Sequence, residues 1–297
     1  MRNLKKILAL VLALVMSLSL MATASAGSFP DVADGNAYET AIDVLAALDV
    51  FKGYKEDGTF RPEKTITRAE VATIIYRIAT ADVADEQNAI YTSWKKFSDV
   101  KDTDWFSGYV NYCANAEYVK GNGNGTFTPQ SEVTGYAVLA MILRTLGWDR
   151  NHEFEGSDWQ IQTAAIARQE GLLDGVTNAS EAYLAQSAPR GMVAQILFNA
   201  LLTETVEYTV LNGYQPTGKI LGKENLGLEE ITGVVVANQW ANLNGGSVLD
   251  EGKTQIQVEG ENKVRALNYG TELTDIGESK LIFCERHRRR GTGCPVF

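Results

Sequence analysis

Cysteine, histidine and proline are scarce in this sequence: 3, 2 and 6 in 297 residues. Cys113, Cys284 and Cys294 are too few, and odd in number, for a disulfide framework, so the fold has to stand on its hydrophobic core. His152 and His287 stand apart, and no His/Cys set has the ligand spacing of a zinc site. Positive charge is short as well, with a net charge of −10. An acidic chain argues against nucleic-acid binding, and bulk charge would repel it from an anionic polymer. A grip on such a polymer has to come from locally placed Arg or Lys.

Long apolar runs are absent after the first 20 residues. That first stretch reads as a secretory signal over 1–26. Arg2, Lys5 and Lys6 form its basic end, Ile7 to Leu20 its apolar centre, and Ala24-Ser25-Ala26 its cleavage site. The apolar run is short for a membrane span. Removing 1–26 takes away these three positive charges and no negative ones, so the net charge goes from −10 to −13. The expected product is exported, soluble and not held in a membrane.

The dominant feature is an internal repeat. The first copy (27–80) reads Phe29-Pro-Asp31-Val32, an apolar helix, Gly53, Gly58-Thr59-Phe60-Arg61-Pro62, then a second helix. The second copy (95–150) reads Phe97-Ser-Asp99-Val100, Trp105, a helix, Gly121, Gly125-Thr126-Phe127-Thr128-Pro129, then a helix after Thr134. Their offset is 68, then 67 after a one-residue deletion. The third copy (151–204) is degenerate. Asp158-Trp159 and Gly175 follow Asp104-Trp105 and Gly121 by 54 residues, and Pro189-Arg190 follows Thr67-Arg68 by 122. Val71, Ile74 and Ile75 recur as Val138, Met141 and Ile142, and again as Val193, Ile196 and Leu197. A unit this small cannot bury much alone, whereas three packed together can.

In Ile66-Thr67-Arg68-Ala69-Glu70, Thr67 and Glu70 have the spacing of a capping box, which predicts a helix from Arg68. Arg68 then sits in a first turn whose free N–H groups favour an anion. It reads either as half of an anion clamp or as a solvated surface residue.

The combination of F-x-D-V, G-T-F-x-P and T-R-A-E resembles the S-layer homology domain, over about Phe29 to Thr203. The resemblance implies a pseudo-threefold helical domain in which one helix of each repeat meets in a central bundle. It also implies grooves between repeats that bind a pyruvylated secondary cell-wall polysaccharide without covalent attachment. Arg68, the full match, and Arg190 would pair with the pyruvate carboxylate. Gly53, Gly121 and Gly175 would let the sugar approach backbone, or cap helices in the left-handed conformation. Trp105 and Trp159 would stack on sugar, or serve as half-buried packing anchors. Asp31 and Asp99 would bond a sugar hydroxyl or, the preferred reading, cap the first helix. Thr134-Gly135-Tyr136-Ala137 lacks the Arg and the Glu, so a groove there would be weakened or silent. Repeat three has Gly191-Met192 after its Arg, and repeat one has Ala37 and Tyr38 at the Trp position.

Other chemistry finds no support. Gly121 to Gly125 has no strand before it and Pro129 after it, so it reads as a turn and not a phosphate loop. Asp99, Asp102 and Asp104 lack the spacing and the distal Glu of an EF-hand. Cys113 stands where repeat one has Leu45, and is expected to be a small buried apolar residue. No motif calls for a cofactor or a metal. No carboxylate pair stands out as a glycosidase would require.

From about Thr205 alternating patterns around Val206-Tyr208-Val210 and Thr254 to Val258, and a short β-branched run from Ile231 to Ala237, predict strands. The fold class is therefore α+β: helical repeats followed by a small β-rich region (205–283), complete or the first part of a longer one. The end, 284–297, is basic. It reads as a tail touching anionic wall material or, preferred, as a truncated or frame-shifted end. The expected function is non-catalytic anchoring of an exported protein to the cell wall, with copies of itself as further partners in a surface layer. The alternative is a wall enzyme anchored by the same repeats, with its chemistry in 205–297.

Overall fold

The computed structural model describes residues 29–251, 253–261, 263–267 and 278–284. The expected leader and, apart from Cys284, the basic end lie outside the described residues. Seven α-helices make up the repeat region: α1 (Glu39–Ala47), α2 (Arg68–Thr80), α3 (Ser107–Asn115), α4 (Gly135–Thr145), α5 (Trp159–Gln169), α6 (Glu181–Leu184) and α7 (Arg190–Leu202). A 3-10 helix, Asn88–Trp94, sits in the spacer between the first two copies.

α2 starts where its capping box predicts. The Glu70 N–H donates to Thr67 Oγ1 at 3.3 Å, and the Thr67 N–H donates to Glu70 Oε2 at 2.8 Å. α4 keeps half of this device, with the Ala137 N–H on Thr134 Oγ1. α7 has Pro189 at its cap and no side-chain cap bond. The recurrent apolar triplets, together with Ile78, are all 2% exposed or less. Each such side chain contributes roughly 1.5–3 kcal/mol through burial.

The repeats interlock around a closed circuit. α3 of the second copy packs on α2 of the first, α5 of the third on α4 of the second, and α1 of the first on α7 of the third. α4 also touches both α2 and α7. Three isolated antiparallel bridges follow the same order: Thr67 with Glu132, Thr134 with Ser187, and Pro189 with Thr65. No copy therefore completes its own core.

The glycines after each first helix are not all alike. The left-handed residue that ends the first helix of each copy is Asp49, Glu117 or Gly171. Gly53 and Gly121 do not have positive φ, which corrects the helix-cap reading for both. They are glycine because a Cβ would lie 2.7 Å from Thr59 O or Thr126 O and collide with the Phe29 or Phe97 ring. Cys113 is fully buried as expected, with Sγ on Ala72 O at 3.3 Å, and burial pushes its thiol pKa up.

The C-terminal region is β-rich with one inserted helix. β1 (Glu204–Thr209) and β2 (Gly213–Ile220) form a hairpin, followed by α8 (Leu221–Leu226). An antiparallel sheet of β3 (Leu228–Ala237), β4 (Thr254–Val258), β5 (Val264–Leu267) and β6 (Glu278–Cys284) has the order β5-β4-β3-β6. Alternation on β3 points Ile231 and Val235 into a small core with Ile256 and Leu267. The hairpin docks on the repeats through the Val206 N–H on Leu146 O at 2.8 Å and Tyr214 against Trp148 at 4.4 Å. Leu221, Leu226 and Leu228 join the main core.

Candidate functional site

Among the described residues, two clefts between repeats each draw on all three copies. The first, about 600 Å³, is lined by Gly53 and its neighbours from copy one, Trp105 from copy two and Arg190 from copy three. The second, about 720 Å³, is lined by Gly121 from copy two, Trp159 from copy three and Arg68 from copy one. The circuit of helix contacts explains this sharing. The start of each arginine-bearing second helix abuts the turn of the following copy in the circuit, whose first helix packs on that same second helix.

The two arginines are held identically. Arg68 donates Nε to Phe127 O (2.8 Å) and Nη2 to Lys120 O (2.9 Å), over the Phe127 ring. Arg190 donates Nε to Phe60 O (2.8 Å) and Nη2 to Lys52 O (3.0 Å), among the rings of Phe51, Tyr54 and Phe60. Burial lowers both guanidinium pKa values; at Arg68 the Arg144 charge adds to this. Both remain cationic at neutral pH.

This geometry corrects the simple clamp. The Nε–Nη2 edge that would fork a carboxylate is used on backbone carbonyls of the adjacent copy; of these, Phe127 O also accepts from Thr128 Oγ1 at 2.7 Å. Arg190 is only 4% exposed. The helix starts are also not open to an anion: Arg68 N–H and Ala69 N–H donate to Ser131 O and Pro129 O, and Arg190 N–H and Gly191 N–H donate to Lys64 O and Pro62 O. Each arginine is thus a lock between copies that also forms part of a cleft wall.

The aspartates are corrected in the same way. Asp31 accepts the N–H groups of Phe60 (2.8 Å) and Arg61 (2.6 Å), and Asp99 those of Phe127 (2.8 Å) and Thr128 (2.7 Å). They cap the Gly-Thr-Phe turn, not the first helix, whose N-cap is Tyr38 or Phe106 without a side-chain bond. Trp105 is 56% exposed and available on its cleft wall, while Trp159 is half-buried and packs edge-on to Tyr136.

Gly175 lines neither cleft. At its junction Tyr38 OH meets Thr177 Oγ1 at 2.6 Å, and the place of the missing Arg is Gly135, where a Cβ would stand 3.0 Å from Leu184 Cα and O. The backbone of α6 occupies the path an arginine would take. Gly175 has φ +73° and a Cβ there would meet Gln195, so its reason is conformational.

The sequence reading overlooked several cleft residues. Lys52 and Lys120 are one repeat apart, as are Arg77 and Arg144, and that shared offset was the signal. Arg77 forks Asp85 at 2.8 and 2.7 Å, with Lys52 on the same carboxylate at 3.2 Å. Burial alone would raise the Asp85 pKa, but Arg77 and then Lys52 hold it below the usual range. Arg144 Nε meets Asp149 Oδ2 at 2.6 Å in a buried pair. Lys120 reaches Asp149 at 3.4 Å and Glu155 at 2.6 Å. Among the described residues there is no group of three or more His, Cys, Asp or Glu placed to hold a metal ion.

The S-layer homology domain matches residues 28–72 and 96–135. A "Cell surface protein" of Thermoanaerobacter kivui is 30% identical over 308 residues, covering 100% of this chain and 36% of that protein. A "Middle cell wall protein" of Brevibacillus brevis is 33% identical over 170 residues, 57% of this chain and 15% of that protein. A "Surface layer protein" of Brevibacillus choshinensis is 32% identical over 175 residues, 58% of this chain and 15% of that protein. The chain thus spans 36% of the length of the first of these relatives and 15% of the other two.

Proposed function

We propose that this cell-surface protein anchors itself non-covalently, and without catalysis, to a secondary cell-wall polysaccharide carrying acidic pyruvyl ketals. Its three copies act as a pseudo-threefold unit that offers two working clefts. The observation that supports this best is the pair of matching clefts, each joining a glycine turn, a tryptophan and an arginine from three different copies. Such a cleft offers a flat apolar face for a sugar ring and a cationic wall for a carboxylate. Relatives named for the cell wall and the surface layer support the same reading, including assembly with copies of itself. Among the described residues no helix is long and apolar enough to cross a membrane.

Sedimentation with purified walls tests the proposal. The chain should co-sediment with native walls and stay in solution with walls stripped of their pyruvyl groups, releasing no sugar or peptide in either case. Equal binding to both walls would refute the acidic ligand, and released fragments would favour an enzyme. Trp105→Ala should weaken the wall interaction by about 1–3 kcal/mol, the scale of stacking on an aromatic face measured for other rings. Because the side chain is largely exposed, its thermal unfolding midpoint should hold. Undiminished sedimentation of this variant would remove Trp105 from the site.

A further inference from the structure

The two clefts share their arginine geometry but differ in the acids that face their lysines. In the Arg68 cleft every cation already has a partner. Arg68 is on two carbonyls, Arg144 is on Asp149, and Lys120 Nζ lies 2.6 Å from Glu155 Oε1. Glu155 belongs to the segment just before α5 and lines the cleft beside Gly121 and Trp159. His152 Nδ1 meets the same carboxylate oxygen at 3.0 Å.

The Arg190 cleft has no counterpart of this acid. Counting back 54 residues from Glu155, by the offset that relates copies two and three, gives Lys101, a cation. Lys52, the counterpart of Lys120, is held by Val83 O at 2.6 Å and by Asp85. Lys55 lines the same cleft without an ion pair among the described residues, and Glu56 there pairs with none of its cations.

We propose that Glu155 is an internal competitor for the acidic ligand: its carboxylate occupies the Lys120 ammonium that a ligand carboxylate would otherwise engage. The proposal rests on the anchoring function above. A carboxylate entering this cleft exchanges one ion pair for another, so the net gain is small, whereas in the Arg190 cleft it can meet Lys55 without displacing an acid, and only Lys52, already on Asp85, would require such an exchange. Hydrogen bonding first from Lys120 and then from His152 lowers the Glu155 pKa to about 2. The competitor is therefore ionised at neutral and mildly acidic pH. Glu155 is about half exposed, so its removal should not disturb the core.

The test is isothermal titration with a soluble fragment of the pyruvylated wall polysaccharide. Trp105→Ala serves as background, because it removes the stacking face of the other cleft. Adding Glu155→Gln should lower Kd about 3- to 5-fold, the fold-change of an exposed ion pair released to a ligand. Added salt should narrow that gap, and the thermal midpoint should not move. An unchanged or higher Kd overturns the proposal, as does no gain in this background while the intact chain binds; a higher Kd would make Glu155 a ligand contact. If the intact chain itself fails to bind the fragment, the anchoring function falls and this inference with it.

Discussion

Replacing Asp149 with alanine should lower the unfolding free energy by about 3–5 kcal/mol, the usual cost of leaving a buried charge without its partner. The Asp149 side chain is 1% exposed and Arg144 9%, and they meet at 2.6 Å. Asp149 Oδ1 also accepts the Phe154 N–H at 2.8 Å. The variant would strand a guanidinium between α4 and the Phe154 ring and leave a buried amide without an acceptor. Asp149→Asn keeps acceptor capacity for Phe154 and loses the charge, so it should fall between the parent and the alanine variant. Urea denaturation followed by tryptophan fluorescence reads both. A loss under about 1 kcal/mol for the alanine variant would mean that Arg144 swings out to water, as surface pairs do.

The second large effect is expected at Arg190. Arg190→Ala leaves Phe60 O and Lys52 O without their donor, at about 1–3 kcal/mol for each stranded carbonyl. It also removes the cation from three ring faces. A loss of about 3 kcal/mol in urea denaturation is the expected result. Arg68→Ala strands Lys120 O alone, because Phe127 O keeps the Thr128 Oγ1 donor, and Arg68 is less buried, so water can replace its donors. Its loss should be about half as large. If the order were reversed, burial would not be what sets the strength of these locks. Either variant has to be checked for folding before weak wall binding is ascribed to a lost ligand contact.

Much of the α+β organisation was legible in the residues. The capping box at Thr67 and Glu70 set the start of α2, because both of its bonds are local and need no tertiary partner. The apolar triplets at a common offset marked the helices that fill the core. The β-branched run at Ile231–Ala237 and the alternation at Thr254–Val258 located β3 and β4. The candidate site was less legible. Trp105, Trp159, Gly53, Gly121 and the two arginines reach the clefts, but Asp31, Asp99 and Gly175 do not serve there. An aspartate two residues after a phenylalanine can cap a helix or a turn; which it does depends on a segment some 29 residues away. Lys120, Arg144 and Glu155 carry no local motif, and their roles appear only when separate copies meet.

The sequence by itself determined the start of α2 and the apolar faces of the core helices, because these follow from hydrogen bonds and periodicities a few residues long. The tertiary structure alone decided which copy supplies each wall of a cleft, that the arginines lock carbonyls of the next copy, and that Tyr38 and α6 close the third junction. These depend on a closed circuit of contacts between residues 50 to 140 positions apart, where burial and the need to satisfy every backbone carbonyl outweigh any short-range preference.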